Sequence, residues 1–489
     1  MRNELRVWGV VPTIDLLIKN GFLVTLDPER RVYRDGAVAY EGDRIVAVGK
    51  TGALEGEYGS EAVIDARGKI VMPGLVNAHN HLYQTLMRGT SDDRRRRPRP
   101  RKYSWNIDAL QHLDGETCHA AGMLAAAEMI RSGITTTQDS HYINFHLDSI
   151  DGVAQSVEDS GMRVVLGRGC WDLPNLAPEE LTEDVETAVM ESEAAIKRLH
   201  GGADGRITMR VEASLLSQCT DEMIQATKRV ASENGVGWAL HIQERLAVNS
   251  RDPRTKDPGM RRYGGRAIEY LDSLRVLGPG SLLIHCTFAD DRDISIMART
   301  STPVAHCPNA NAWAGRARVT AVPAMLERGV TVGLGTDGAL TNNSLDLFQA
   351  MKFCALIHKV NTGSASAMTA EKVIEMSTID SARALCMADQ VGSLEPGKKA
   401  DIILLDMKSP GLTPSLLPVK NLVYSSASGR PVDTVIIDGV TVMEEGVILS
   451  FEEAEAYEKG EAAAFRMLEL SGRLDGEPGY LNPEPWKYT

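Results

Sequence analysis

Two histidines close an apolar run at Pro73-Gly-Leu-Val-Asn-Ala-His79-Asn-His81. On an extended strand, residues i and i+2 point to the same side, so both imidazoles can reach one cation. That spacing also arises by chance, and its weight here comes from the ends of other β-like runs. One finishes at His241, with Glu244 three residues on; another carries His285; a third runs into Gly335-Thr336-Asp337-Gly338. The chain has only 11 histidines, and His79, His81, His241 and His285 all fall at predicted strand ends, with an acid closing the last strand. Three neutral imidazoles and one carboxylate make a nitrogen-rich site suited to zinc or ferrous iron. His79, His81, His241 and Asp337 are therefore expected to hold one divalent metal ion per subunit, Zn2+ ahead of Fe2+. An open position would hold water, whose pKa such an ion lowers towards about 7. Asp337 can bind the metal and accept the water's proton, and His285 can orient the water or share that proton. Glu244, at the loop edge beyond a ligand, is suited to protonating a ring or amide nitrogen and then the leaving group.

Residues so far apart meet if each ends a strand of one closed barrel, where catalytic groups gather at the C-terminal strand ends. The middle of the chain has the required alternation of β-like and helical runs. Eight apolar runs are predicted as strands, at 70–77, 133–139, 163–170, 207–215, 237–241, 281–287, 302–307 and 330–336. Helical stretches such as 118–131, 182–200, 221–233 and 321–328 lie between them. Gly133, Gly161, Gly235 and Gly329 follow helical runs, where a left-handed residue is wanted. The fold class expected is α/β, a (β/α)8 TIM-like barrel. Short β segments at 15–26, 36–41 and 44–48 return near the other end at 400–405 and 431–447, and the two sets are predicted to pair into one small sheet domain. The expected domains are 1–68 plus 390–450 for that sheet, 69–389 for the barrel, and 451–489 for a C-terminal helix and tail.

A length of 489 residues suits a barrel with insertions and a satellite domain, and 43% hydrophobic with 24% charged residues describes an ordinary globular protein. The net charge of -13 repels phosphate, which argues against nucleic acid as a partner. The first residues interleave Arg2, Arg6, Asp15 and Lys19 with apolar ones, so neither a signal-peptide core nor a membrane span is read, and a cytoplasmic location is expected. Seven cysteines without a CxxC pair fit reduced, buried thiols. The partner expected is a small-molecule substrate. A homodimer or higher homo-oligomer is expected of a barrel with helices outside, the helix at 451–470 being available to pack on a neighbour. The segment 94–102, dense in arginine, reads first as a solvated loop and second as a lid or interface patch.

Several longer motifs make the chain resemble the amidohydrolase superfamily, in its cytosine deaminase, guanine deaminase and s-triazine hydrolase branch, over nearly its full length. They are Gly-Leu-Val-Asn-Ala-His79-Asn-His81-Leu-Tyr-Gln84, Ser132-Gly-Ile-Thr-Thr-Thr-Gln-Asp139, His241-Ile-Gln-Glu244, Leu283-Ile-His285-Cys, Ala305-His306-Cys-Pro-Asn, Gly335-Thr-Asp337-Gly and Glu395-Pro-Gly-Lys-Lys-Ala-Asp401. The resemblance implies a distorted barrel with a β-sandwich from both termini, metal ligands at His79, His81, His241 and Asp337, and proton handling by Glu244 and His285. Gln84, three residues after His81, resembles the amide that positions the heterocycle in relatives, with a polar residue at a helix start as the competing reading. His141, His306, Trp171 and Trp313 stand as further substrate-binding candidates, with plain packing as the competing reading. Two positions depart from the family. Gln243 replaces a usual small residue and could contact substrate, and the fourth strand has Val211-Glu212-Ala-Ser in place of the carbamylated lysine of binuclear relatives, which favours one metal. Glu212 itself reads as salt-bridged or surface-facing, or else as a bridge to a second ion. The activity expected is hydrolytic deamination of an amino-substituted purine, pyrimidine or s-triazine. The first rival is amide, urea, carbamate or carbon-chlorine hydrolysis at the same site. A noncatalytic scaffold is the second, and it conflicts with a complete ligand set.

Overall fold

The computed structural model describes residues 13–90, 105–174, 179–242, 266–315, 318–428 and 431–472. Gln243, Glu244 and the basic segment 94–102 lie outside the described residues. Two sheets organise the chain. The first collects β1 (Thr13–Val24), β2 (Val32–Glu41), β3 (Arg44–Lys50), β4 (Gly59–Asp65) and β5 (Lys69–Pro73) from one end, and β14 (Ile402–Asp406), β15 (Val432–Ile437), β16 (Val440–Glu444) and β17 (Val447–Ile448) from the other. The ends join where β5 pairs antiparallel with β14. The second sheet is parallel throughout and follows chain order: β6 (Leu75–Asn80), β7 (Ile134–His141), β8 (Arg163–Cys170), β9 (Ile207–Leu215), β10 (Gly237–Ile242), β11 (Ser281–His285), β12 (Val304–His306) and β13 (Val332–Leu334). This is the eight-stranded barrel expected from the alternating pattern, with the sheet of the two termini beside it.

Strands β7 and β8 are buried along their whole length, polar residues such as Gln138 and Arg163 included. Val76, Ala78, Val165, Ala239, Leu282, Ile284 and Ala305 form a cluster of their own, closed by Ala382, Leu385, Met387 and Val391. The outer faces belong to the larger core shared with the helices. Those helices start where their caps predict: Asp114 accepts from Thr117 N, Asp184 from Thr187 N and Thr220 from Met223 N. Gly133, Gly161, Gly235 and Gly329 have φ of 75, 78, 67 and 77°, the left-handed conformation their positions called for.

Around the barrel, β6 and β13 approach as first and last strands, and side chains complete the seam. Asn77 Nδ2 donates to Thr336 Oγ1 at 2.8 Å, Thr336 N donates to Asn77 Oδ1 at 3.0 Å, and Asp337 N donates to His79 O at 3.0 Å. A Cβ at Gly335 would lie 3.1 Å from the His79 Cβ, so a bare backbone lets the seam draw tight. One expected strand divides. The run 70–77 contributes β5 to the terminal sheet and β6 to the barrel, because the chain changes sheet at Gly74. There the amide donates to Asp401 O at 3.0 Å, and any Cβ would sit 2.2 Å from Thr135 Oγ1. Leu75 and Val76 continue the apolar run of β5, so periodicity alone carries no trace of the jump.

A buried ion cluster ties the two sheets together. Arg163 at the start of β8 donates from Nη2 to Asp401 Oδ1 at 3.0 Å and to Asp438 Oδ1 at 2.9 Å, and its guanidinium is fully buried. Asp401 also accepts from Asp438 N at 2.9 Å. Removing one partner of such a cluster strands a charge in a low-dielectric interior. Asp401→Ala is expected to cost about 3–5 kcal/mol of unfolding free energy in urea titrations, and a loss below about 1 kcal/mol would refute the joint's importance.

Burial also sets protonation. His358, on the helix Leu347–Thr362, has its pKa lowered to about 4 by desolvation. In the unfolded chain the same imidazole titrates near 6.5. The unfolded state therefore binds the extra proton between those values, and the group's contribution to stability is lost as pH falls from about 6.5 towards 4. His358→Gln should flatten the pH dependence of unfolding free energy in that window by up to about 1.4 kcal/mol per pH unit. Parallel curves for variant and parent would contradict this.

Candidate active site

Five side chains from four places in the sequence meet at the C-terminal mouth of the barrel. His79 and His81 come from the end of β6, His241 from β10, His285 from β11, and Asp337 from the loop after β13, and all five are buried. A bulge between Asn77 and Asn80 in the β6 register accompanies the turn of both β6 histidines into the mouth. His285 and Asp337 adopt left-handed backbone, with φ of 75 and 61°. Such non-glycine conformations are costly and cluster at functional sites, where the surrounding fold holds them.

Hydrogen bonds on the far side of each ring determine what faces the centre. His81 Nδ1 donates to Ser140 O at 2.8 Å and His241 Nδ1 to Ser214 O at 2.8 Å, both main-chain acceptors on the neighbouring strand. His79 Nδ1 pairs with Gln138 Oε1 at 3.0 Å. A neutral imidazole whose proton is on Nδ1 presents a lone pair at Nε2. Three such lone pairs converge: His79 Nε2 and His241 Nε2 are 3.3 Å apart, and Asp337 Oδ1 lies 3.7 Å from His79 Nε2 and 3.5 Å from His81 Nε2. Burial, then the neighbouring His81, His241 and His285, hold the His79 pKa well below the usual imidazole range, keeping that ring neutral. The ligand atoms of His79, His81 and His241 lie within 4.8 Å of one another, as do those of His79, His285 and Asp337, and nitrogen lone pairs beside a carboxylate oxygen fit a divalent cation. His285 Nε2 lies 3.9 Å from the other carboxylate oxygen of Asp337.

Of the substrate-binding candidates, Gln84 lies beside the loop that carries Asp337. It is buried on the 3-10 turn Leu82–Met87, its Oε1 has no hydrogen-bond partner among the described residues, and a Cβ on Gly338 would sit 2.1 Å from that oxygen. His141 is drawn away, its Nε2 paired with Ser149 Oγ at 2.9 Å. His306 pairs with His358, Nε2 to Nε2, at 3.1 Å. With Cys354 these two form a second close cluster, but among the described residues neither ring has a partner at Nδ1, whereas all three rings of the main cluster have one. Trp171 stands behind the mouth and donates from Nε1 to Tyr142 O at 3.0 Å. Trp313 ends the short helix Pro308–Trp313, half-buried.

Sequence reading missed four participants. Tyr142 stands edge-on to His81, with ring centroids 5.1 Å apart, and Tyr83 packs beside both. Gln138 supports His79. Glu212, expected to be salt-bridged or solvent-facing, is fully buried and accepts from Gln138 Nε2 at 2.7 Å and Ser140 Oγ at 3.0 Å. Gln138 and Ser140 alternate along β7 within a motif already singled out, and that alternation is the signal that places both on one face.

Comparison with known proteins agrees with this architecture. The chain matches the amidohydrolase family over residues 70–442. It is 35% identical to a 5'-deoxyadenosine deaminase of Methanosarcina acetivorans over 92% of this chain and 98% of that protein. It is 34% identical to a 5-methylthioadenosine/S-adenosylhomocysteine deaminase of Pelotomaculum thermopropionicum over 93% and 99%. Among solved structures, an adenosine deaminase from Xanthomonas campestris with bound zinc superposes with a TM-score of 0.82 at 25% identity, covering 94% of this chain and all of that one. On these grounds, together with the motifs and the barrel that carries them, the chain belongs to the amidohydrolase family.

Proposed function

We propose that this protein is a metal-dependent deaminase acting on 6-aminopurine nucleosides, with adenosines altered at the 5' position as its substrate class. The observation that carries the reading is 35% identity to a 5'-deoxyadenosine deaminase across nearly the whole of both chains. The convergence of His79, His81, His241 and Asp337 supports the chemistry, and the zinc of the similar adenosine deaminase supports Zn2+ as the ion, one per chain. In this reading His79, His81 and His241 hold the ion through Nε2 and Asp337 through a carboxylate oxygen. When bound there, the cation supplies Lewis acidity that brings the pKa of water towards about 7.

The chain's own groups handle the rest. Asp337 accepts the proton of the attacking water on the oxygen that faces His285, and His285 Nε2, 3.9 Å away, steadies that carboxyl and the incoming oxygen. Glu244 donates a proton to the ring nitrogen beside the amine-bearing carbon. The carbon-oxygen bond forms as that ring nitrogen takes the electron pair. The proton gathered at Asp337 then passes to the exocyclic nitrogen, the proton left on the added hydroxyl returns to the Glu244 carboxylate, the carbon-nitrogen bond breaks, and ammonia leaves with an oxo group in its place. Tyr83 and Tyr142 give the mouth an aromatic wall suited to a planar base. Gln84 Oε1, a buried acceptor with no hydrogen-bond partner among the described residues, suits the N–H of a 6-amino group.

Incubating the zinc-loaded protein with 5'-deoxyadenosine should release one ammonia per nucleoside consumed, with the 6-oxo product seen by chromatography. No ammonia from any 6-aminopurine nucleoside would reject the substrate class. Glu244→Gln should keep its zinc by elemental analysis and lose turnover by about 100-fold or more, whereas His241→Ala should lose both zinc and turnover. Full activity in Glu244→Gln would remove it from the mechanism.

A further inference from the structure

His79 differs from the other two imidazoles in what sets its proton. His81 and His241 donate to main-chain carbonyls, which have only one chemical face to offer. His79 faces a side-chain amide, and an amide has two ends of nearly the same shape. With the oxygen of Gln138 towards it, His79 carries its proton on Nδ1 and turns a lone pair into the cluster. With the NH2 towards it, Nδ1 must accept, the proton moves to Nε2, and an N–H points into a space where His241 Nε2 lies 3.3 Å away. The first arrangement admits a cation and the second excludes it.

Glu212 decides between them. Its Oε1 receives Gln138 Nε2 at 2.7 Å and Ser140 Oγ at 3.0 Å, so the amide NH2 is committed to the carboxyl and the amide oxygen is left for His79. The fold makes room for this acid. Gly167 on β8 lies where any Cβ would come within 2.1 Å of Glu212 Oε1, so a side chain there would expel the carboxyl from beneath Gln138. Arg210, two residues back along β9, is also buried in the barrel. We propose that Glu212 and Gln138 are positioning residues, Glu212 locking the orientation of the Gln138 amide and Gln138 locking the Nδ1–H tautomer of His79. The proposal rests on the reading of His79 as a metal ligand.

The test uses the full-length protein and zinc competed against a chromophoric chelator, together with the visible spectrum of the cobalt-substituted form. Gln138→Met, which keeps side-chain volume and removes the acceptor, should weaken zinc binding by about 10- to 100-fold and shift the cobalt bands. Glu212→Met should weaken it to a similar degree, and the double variant should be no weaker than Gln138→Met alone, because one residue acts through the other. Glu212→Gln retains an acceptor oxygen for the Gln138 amide, so it should restore binding to within about threefold of the parent. A merely structural role for Glu212 would lower stability without the rescue or the cobalt shift. Unchanged zinc affinity in Gln138→Met and in folded Glu212→Met, alongside its loss in His79→Ala, would overturn the proposal and leave the metal reading standing. Unchanged affinity in His79→Ala would instead overturn the metal reading. Two zinc ions per chain in the parent and one in Glu212→Gln would make Glu212 a ligand, again overturning the proposal.

Discussion

The structure turns on where three protons sit. With protons held at Nδ1, the rings of His79, His81 and His241 present their Nε2 lone pairs to a common point, and each Nδ1 acceptor comes from a neighbouring strand rather than from the ligand's own. Strand adjacency is therefore a condition of the chemistry as well as of the fold. A slip of one residue in the β7 or β9 register would exchange the faces of those strands, remove Gln138 from His79 and displace the carbonyls of Ser140 and Ser214. Barrel closure adds the fourth donor, since Asp337 follows the seam at which Asn77 and Thr336 exchange hydrogen bonds.

Much of this was legible in the letters. Eight apolar runs alternating with helical ones indicate a parallel barrel, and glycines after helical runs mark the left-handed residues that turn the chain into the next strand. The histidines were visible because HxH at a strand end, together with His241, His285 and Asp337 at other strand ends, leaves few alternatives in a chain with 11 histidines. The break at Gly74 was not legible, because Leu75 and Val76 carry the buried apolar run of β5 straight into β6. Glu212 was misread for a related reason. A strand glutamate usually faces water, and what reverses that here is a cavity opposite it, created by a glycine on another strand. Tyr142 gives no sign in one dimension, since its place beside His81 depends on the path of the chain after β7.

The support behind the rings also separates two clusters that composition alone would rank together. His306, Cys354 and His358 lie as close to one another as the main cluster does. Among the described residues, the two histidines have no acceptor at Nδ1 to fix their tautomers, and they pair with each other across the helix and strand that carry them. A set of ligand-type side chains is common in a large core, and the layer behind it distinguishes an ion site from packing.

The pairing of β5 with β14 has a consequence for how the protein is made. It joins Lys69–Pro73 to Ile402–Asp406, so a ribosome must deliver the entire barrel before the terminal sheet can close. Until then the nascent chain carries one open apolar strand edge, the kind of edge that recruits other chains. Long-range closure of this sort slows folding, and chaperone dependence during synthesis is the natural cost of building one sheet from both ends of the polypeptide.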